Sequence, residues 1–250
     1  MPGRGTADVV FCLDSSTSMA PSFRSTRDHI MSFVDGLRSE GQSTWDLRFD
    51  FVAHSASDLR EGIVFRARSI REKALYASMY PPGSNAPRSS LFTSNVGEFR
   101  ASLDSLEARG DEANLIALDA CLDFPWRTTD ACHRVIIMLT DEPLETGLMI
   151  QEQRDAIPAL IDKIHQIGAL LFIVGPESAG YHQLAAANRS SYDIVEGGDG
   201  LASVDFRAIM NQIGRSVSVS RVNRATVPAK RALFGQDRWG LTDTQEFGGS

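Results

Sequence analysis

Three short, unbroken apolar runs limit what this chain can fold into. Val9-Val10-Phe11-Cys12-Leu13 ends at Asp14, Val135-Ile136-Ile137-Met138-Leu139 ends at Thr140-Asp141, and Ala169-Leu170-Leu171-Phe172-Ile173-Val174 ends at Gly175-Pro176. Runs of this length that are apolar throughout read as strands buried on both faces, the state of strands in a parallel sheet covered by helices. The stretches between them carry helical periodicity. Pro21 opens one helix (Phe23, Ile30, Phe33, Val34, Leu37), and 95–108 and 113–122 read as two more. Residues 147–166 read as a helix with a kink or break at Pro158, followed by short helices over 181–188 and 204–219. Trp45 to Ala53 alternates as a strand, Ile63-Val64-Phe65 as a short edge strand paired to it, and Tyr192–Val195 as a last strand. Arg68–Tyr80 reads as a short helix and 81–87 as a loop within an insertion. Strands alternating with helices in this order predict an α/β fold: a doubly wound, mostly parallel central sheet with one antiparallel edge strand and helices on both faces, Rossmann-like.

Length and charge narrow the function. A chain of 250 residues has enough interior to fold without disulfides, and its three cysteines form no C-x-x-C pair. Cys12 and Cys121 fall inside apolar patterns and read as buried small side chains. The net charge of −7 argues against a nucleic-acid binder, and no run of about 18 apolar residues suggests a membrane span. The N-terminus has no signal-peptide pattern, so the expected location is the cytoplasm. One domain is expected over 7–219, with 220–250 as a C-terminal extension, partly disordered or partner-docking. That extension holds five basic residues against three acidic ones, a net of +2, which leaves −9 for the remainder. Leu233, Phe234 and Trp239 are apolar anchors within it.

In doubly wound sheets ligands sit beyond the C-terminal strand ends, near the point where strand order reverses. The loops after residues 13, 139 and 174 are therefore the place to look. Asp14-Ser15-Ser16-Thr17-Ser18 follows the first strand, Thr140-Asp141 follows the strongest one, and Gly110-Asp111-Glu112 precedes a helix. Asp14, Ser16 and Ser18, at alternate positions, can aim three oxygens at one point. Hydroxyls and carboxylates from separate loops suit Mg²⁺, which takes six oxygens and keeps several waters. The competing reading is that Asp14 and Ser16 cap the helix after Pro21, and that Asp111 and Glu112 cap or favour the first turn of the next one. His54 follows a strand near this edge and reads as an ordinary core or surface histidine.

Asp14-Ser15-Ser16-Thr17-Ser18 resembles the D-x-S-x-S motif after the first strand of von Willebrand factor type A (VWA) domains, where it begins the metal-ion-dependent adhesion site (MIDAS). Asp141 resembles that family's later site aspartate, and 113–122 resembles the helix after its second site loop. The resemblance spans about residues 7–219. It implies a site formed by Asp14, Ser16, Ser18 and Asp141 holding Mg²⁺ (or Mn²⁺ or Ca²⁺), with Thr140 and Glu142 facing a partner. The family's second loop usually supplies a Thr, but no Thr occurs between Ser105 and Leu122. Asp111 or Glu112 stands in its place, and the sequence leaves open which. The function implied is a non-enzymatic protein-interaction module, recognising a protein partner through a carboxylate that completes the metal shell. It would act as a scaffold or assembly factor in an intracellular complex, with an AAA-type ATPase, kinase or phosphatase as partner, for instance in a bacterial stress or defence system. By the same resemblance, 204–219 is the helix whose displacement switches affinity in some adhesion domains.

The alternative is a metal-dependent hydrolase or phosphotransferase using Asp14. Such enzymes generally need a second acid two positions on, where this chain has Ser16, and a Lys near the phosphate. G-x-x-x-x-G-K-[ST], G-x-G-x-x-G and G-x-S-x-G are all absent from the sequence.

Overall fold

The computed structural model describes residues 5–40, 45–59, 62–70, 91–128, 132–187 and 190–196, together with Leu233. Its centre is β1 (Gly5–Asp14), which pairs in parallel with β2 (Trp45–Leu59) on one side and with β4 (Cys132–Leu139) on the other. Beyond β2 lies β3 (Gly62–Arg68), antiparallel to it at the edge. Beyond β4 come β5 (Ala169–Gly175) and β6 (Ser190–Ile194), both parallel. The described sheet therefore has six strands in the order β3-β2-β1-β4-β5-β6. The chain runs outward from β1 through β2 and β3, then restarts at β4 and runs outward the other way. Strand order reverses between β1 and β4, so the loops leaving these two strands part at that point.

The alternation of side chains along each strand divides the interior in two. Val9, Phe11, Leu13, Phe49, Phe51, Val135, Ile137 and Phe172 face one side, where α1 (Phe23–Glu40) and α2 (Val96–Asp104) cover them with Phe23, Ile30, Phe99 and Leu103. Val10, Cys12, Val52, Ile136, Met138, Leu171 and Ile173 face the other, under α3 (Asn114–Leu122), α4 (Ile150–Ile167) and α5 (Ala179–Ala185). Every residue of β4 and β5 is buried, the apolar runs 135–139 and 169–174 as their composition requires and His133 and Arg134 of β4 along with them. Cys12, Cys121 and Cys132 are buried free thiols.

Three helices and two strands differ from the sequence expectation. The helix read over 181–188 is α5, which spans Ala179–Ala185. β2, read to Ala53, runs on to Leu59 and so includes His54, and Arg68, read as the start of a helix, ends β3. The helix read over 95–108 ends at Asp104. Ser105 turns the chain back with its hydroxyl on the Ser102 carbonyl (2.7 Å), and Arg109 N–H reaches the Ser15 carbonyl at 2.7 Å. Pro158 neither breaks nor divides α4, which runs from Ile150 to Ile167 as one helix. Pro158 and Arg154, whose carbonyl loses its donor, are both exposed, so water can satisfy the freed carbonyl. Residues 71–90 of the insertion expected over 67–94, the helix expected over 204–219 and the extension apart from Leu233 lie outside the described residues. Among the described residues no helix is long and apolar enough to cross a membrane.

Candidate functional site

The β1–β2 register sets Asp14 beside His54, and β4 ends so that Thr140 follows Leu139 at the same level. Ser15 turns the chain out of β1 by donating both its N–H (2.8 Å) and its hydroxyl (2.7 Å) to the His54 carbonyl. Thr17 N–H (2.8 Å) and hydroxyl (3.0 Å) then bond the Gly110 carbonyl. Asp111 and Ala56 exchange two backbone hydrogen bonds of 2.7 Å, and Leu148 N–H reaches the Glu112 carbonyl at 3.0 Å. The 15–20, 109–113 and 140–148 loops are thus joined into one surface by main-chain bonds. Gly110 is needed there: its φ is +74°, and a Cβ would lie 2.4 Å from the Ala56 carbonyl oxygen.

Within that surface the predicted side chains meet. Asp14 is fully buried; its Oδ1 accepts Ser16 N–H at 2.8 Å and its Oδ2 accepts the Thr140 hydroxyl at 2.7 Å. The Ser16 and Ser18 hydroxyls are 2.9 Å apart, and Ser18 Oγ donates to Asp141 Oδ1 at 3.0 Å. Asp141 is also fully buried, and its Oδ2 has no hydrogen-bond partner among the described residues. These contacts distinguish the two sequence readings of the first loop. The Ser16 side chain caps no helix, and Asp14 spends its two oxygens on the loop and on Thr140, so neither residue caps α1.

The acids of the second loop part company. The Asp111 side chain is exposed, while Glu112 is buried. Burial, followed by the nearby charge of Asp14, pushes Glu112 up to about 7. Asp141 is pushed up to about 7 by the same two causes in the same order. Neither acid caps α3, whose N-cap is Ala113 and whose first turn holds no acid. Glu142 is half-buried; its carbonyl accepts the Tyr181 hydroxyl at 3.2 Å and its carboxylate the Thr146 hydroxyl at 3.2 Å.

Sequence reasoning missed a supporting layer. Asn114, at the first position of α3, donates to Thr140 Oγ1 (3.1 Å) and to the Tyr181 hydroxyl (2.9 Å), which holds the Thr140 hydroxyl on Asp14. The available signal was an Asn opening an otherwise apolar helix whose one other polar side chain is Asp119, since a buried amide must find partners. His54 was also under-read: it is fully buried, on the same face as Cys12 and Asp14. Burial disfavours its charged form, but the Cys12 thiol, Asp14 and Glu112 nearby raise its pKa overall.

Among the described residues no three His, Cys, Asp or Glu side chains gather closely enough to hold a metal ion. A cation here would rest on two carboxylates with hydroxyls and water, a donor set that fits Mg²⁺. Asp141 Oδ2 has no partner among the described residues, and burial with the like charge of Asp14 raises both Glu112 and Asp141.

The protein is an α/β domain of VWA-like arrangement, with an oxygen-rich loop cluster at its switch point. No protein-family model and no curated protein matches the chain. Solved structures are similar in fold. The pilus adhesin SpaC of Lactobacillus rhamnosus GG is 14% identical with a TM-score of 0.51, over 85% of this chain and 30% of that one. The human COPII-coat protein Sec24c is 14% identical with a TM-score of 0.51, over 86% of this chain and 32% of that one. Proximal thread matrix protein 1 from the mussel byssus is 15% identical with a TM-score of 0.50, over 84% of this chain and 46% of that one. The chain spans less than half the length of each, and at these identities the likeness is one of fold.

Proposed function

We propose that this chain is a non-enzymatic, metal-dependent protein-interaction module. Asp14, Ser16, Ser18 and Asp141 would hold Mg²⁺, or Mn²⁺ or Ca²⁺, at the top of the sheet. The observation that carries the reading is the convergence of those side chains from two loops, with one buried carboxylate oxygen, Asp141 Oδ2, left without a donor. A bound cation supplies a Lewis-acidic position for an incoming carboxylate. The chain's own residues orient it: Thr140 and Asn114 hold Asp14, and Ser18 holds Asp141. Glu112 rather than Asp111 is the second-loop acid that faces the cluster, acting through water where the resemblance leads one to look for Thr. An anionic partner would then approach over Thr140 and Glu142. Fold likeness to a pilus adhesin and to a vesicle-coat protein supports an interaction or adhesion role, and an intracellular scaffold or assembly role remains part of this proposal.

Asp14 is a poor candidate for a nucleophile, because it is fully buried and both its oxygens already accept hydrogen bonds. The test is thermal unfolding with EDTA and with Mg²⁺ or Mn²⁺. Cation should raise the midpoint of the wild type through linkage and leave that of Asp14→Ala nearly unmoved. Equal shifts in the two proteins would overturn the metal site.

A further inference from the structure

The α3 helix is buried along its whole length, so each polar side chain on it needs a partner. Asn114 serves the loop cluster. Asp119, further along, is 1% exposed and belongs to a different group. Lys163 of α4 bonds Asp119 Oδ1 and lies 3.0 Å from Asp123 Oδ1 in the turn after α3. Lys163 therefore stands between two buried carboxylates. Asp119 Oδ2 is satisfied from far along the chain: the Leu233 backbone N–H donates to it at 2.9 Å. The Leu233 side chain packs against the apolar cluster that α3, α4 and α5 form over the sheet.

We infer that the α3–α4 surface around Asp119 is a binding site for a leucine-bearing peptide segment, and that its occupant is this chain's own C-terminal segment centred on Leu233. Recognition has two parts. A backbone N–H meets a buried, charged acceptor, which makes a strong hydrogen bond that is indifferent to the donor's side chain. The leucine fills the apolar surface beside it and sets which residue docks. Charge supports this occupant: Lys230, Arg231 and Arg238 flank Leu233 in a segment of net +2, while the rest of the chain carries −9. The site is separate from the loop cluster, since it uses neither its residues nor its loops. Its test therefore does not depend on the metal proposal.

The experiment is amide hydrogen exchange on the full chain, comparing wild type with Leu233→Asp and the volume-conserving Leu233→Met. The Leu233 amide of the wild type should exchange on the order of 100-fold more slowly than in an unstructured chain. Leu233→Asp should abolish that protection and speed exchange across Leu115–Leu122 and Leu160–Ile167, while Leu233→Met should keep it. A synthetic peptide of residues 226–240, added to the Leu233→Asp chain, should restore protection in α3 and α4; the same peptide carrying Leu233→Asp should not. Light scattering should show a monomer. An unprotected Leu233 amide in the wild type overturns the proposal, as does Leu233→Asp with unchanged exchange in α3 and α4. Protection that depends on protein concentration would make a second copy the occupant and overturn the assignment to the same chain. Should Leu233→Asp fail to fold, the Leu233 amide rate in wild type and Leu233→Met decides alone.

Discussion

Asp141 and Glu112 make the site sensitive to pH in a direction fixed by their environment. In the unfolded chain they ionise near their usual values of 3.8 and 4.5, whereas in the fold both wait until about 7. Between those limits the native state binds more protons than the unfolded one, so stability falls as pH rises. In EDTA, unfolding free energy from urea titrations should drop between about pH 4 and pH 7, by roughly 1 kcal/mol per pH unit for each acid. Asp141→Asn should flatten half of that slope and be more stable than wild type at the alkaline end. A profile rising with pH would mean that both acids are already paired. Gly110 gives a second test at this scale. Gly110→Ala forces an L-residue into positive φ and against the Ala56 carbonyl, at a cost on the order of 1–3 kcal/mol in urea denaturation. Of these residues, Asp14, Ser16, Ser18 and Asp141 could be read directly, because the motif and the strand ends are local in sequence. Asn114, Tyr181 and the burial of His54 near Cys12 and Asp14 could not, since each depends on which strands and helices become neighbours.

Among the elements, the strands buried on both faces were the most predictable, and the helix ends and the length of β2, which runs past Ala53 to Leu59, were the least. A strand buried on both faces needs an apolar side chain at nearly every position, a pattern with few competing explanations. Helix ends depend on tertiary bonds such as that from Arg109 N–H to the Ser15 carbonyl, which ends the α2 region short of residue 108. Asp50 on β2 shows how one side chain ties together backbone far apart in sequence. It is fully buried and accepts three main-chain donors: its own neighbour Phe51 at 2.7 Å, Ile70 at 3.1 Å and Phe92 at 2.9 Å. The last two bracket the stretch 71–90, so one carboxylate holds both ends of it. Asp50→Ala would leave these N–H groups buried without an acceptor, at about 1–3 kcal/mol for each group. Amide exchange at Ile70 and Phe92 should rise together, and the rest of the sheet should be little affected. Independent rates at the two amides would show that some other contact holds them. Composition marked 67–94 as an insertion, but nothing local to it pointed to an acceptor on β2.

The two ends of the sheet treat charge in opposite ways. At the N-terminal end Asp8 is fully buried yet saturated: Arg48 Nε and Nη2 donate at 2.8 and 2.6 Å, and Arg127 N–H and Nε at 2.8 and 2.7 Å. Arg134, 1% exposed, braces the same corner through the Arg127 and Ile167 carbonyls. At the C-terminal end Asp14 and Asp141 are equally buried, but neither forms an ion pair with a described Lys or Arg. Sequence marked Asp14 by the Ser16 and Ser18 that follow it at the strand end, but nothing near Asp8 indicated that two guanidinium groups would meet it. Their energetics should separate them cleanly. Asp8→Asn strands two guanidinium groups and should cost about 3–5 kcal/mol in chemical denaturation, with or without Mg²⁺. Its stability increment on adding Mg²⁺ should match that of the wild type, because the top of the sheet is untouched. Asp14→Asn keeps an acceptor for Thr140 and removes a charge that no described Lys or Arg balances. In EDTA it should lie within about 1 kcal/mol of the wild type, yet lose the Mg²⁺ increment. If Asp14→Asn proved as costly as Asp8→Asn in EDTA, the top of the sheet would be structural in the same sense as the bottom, and the case for a cation there would fail.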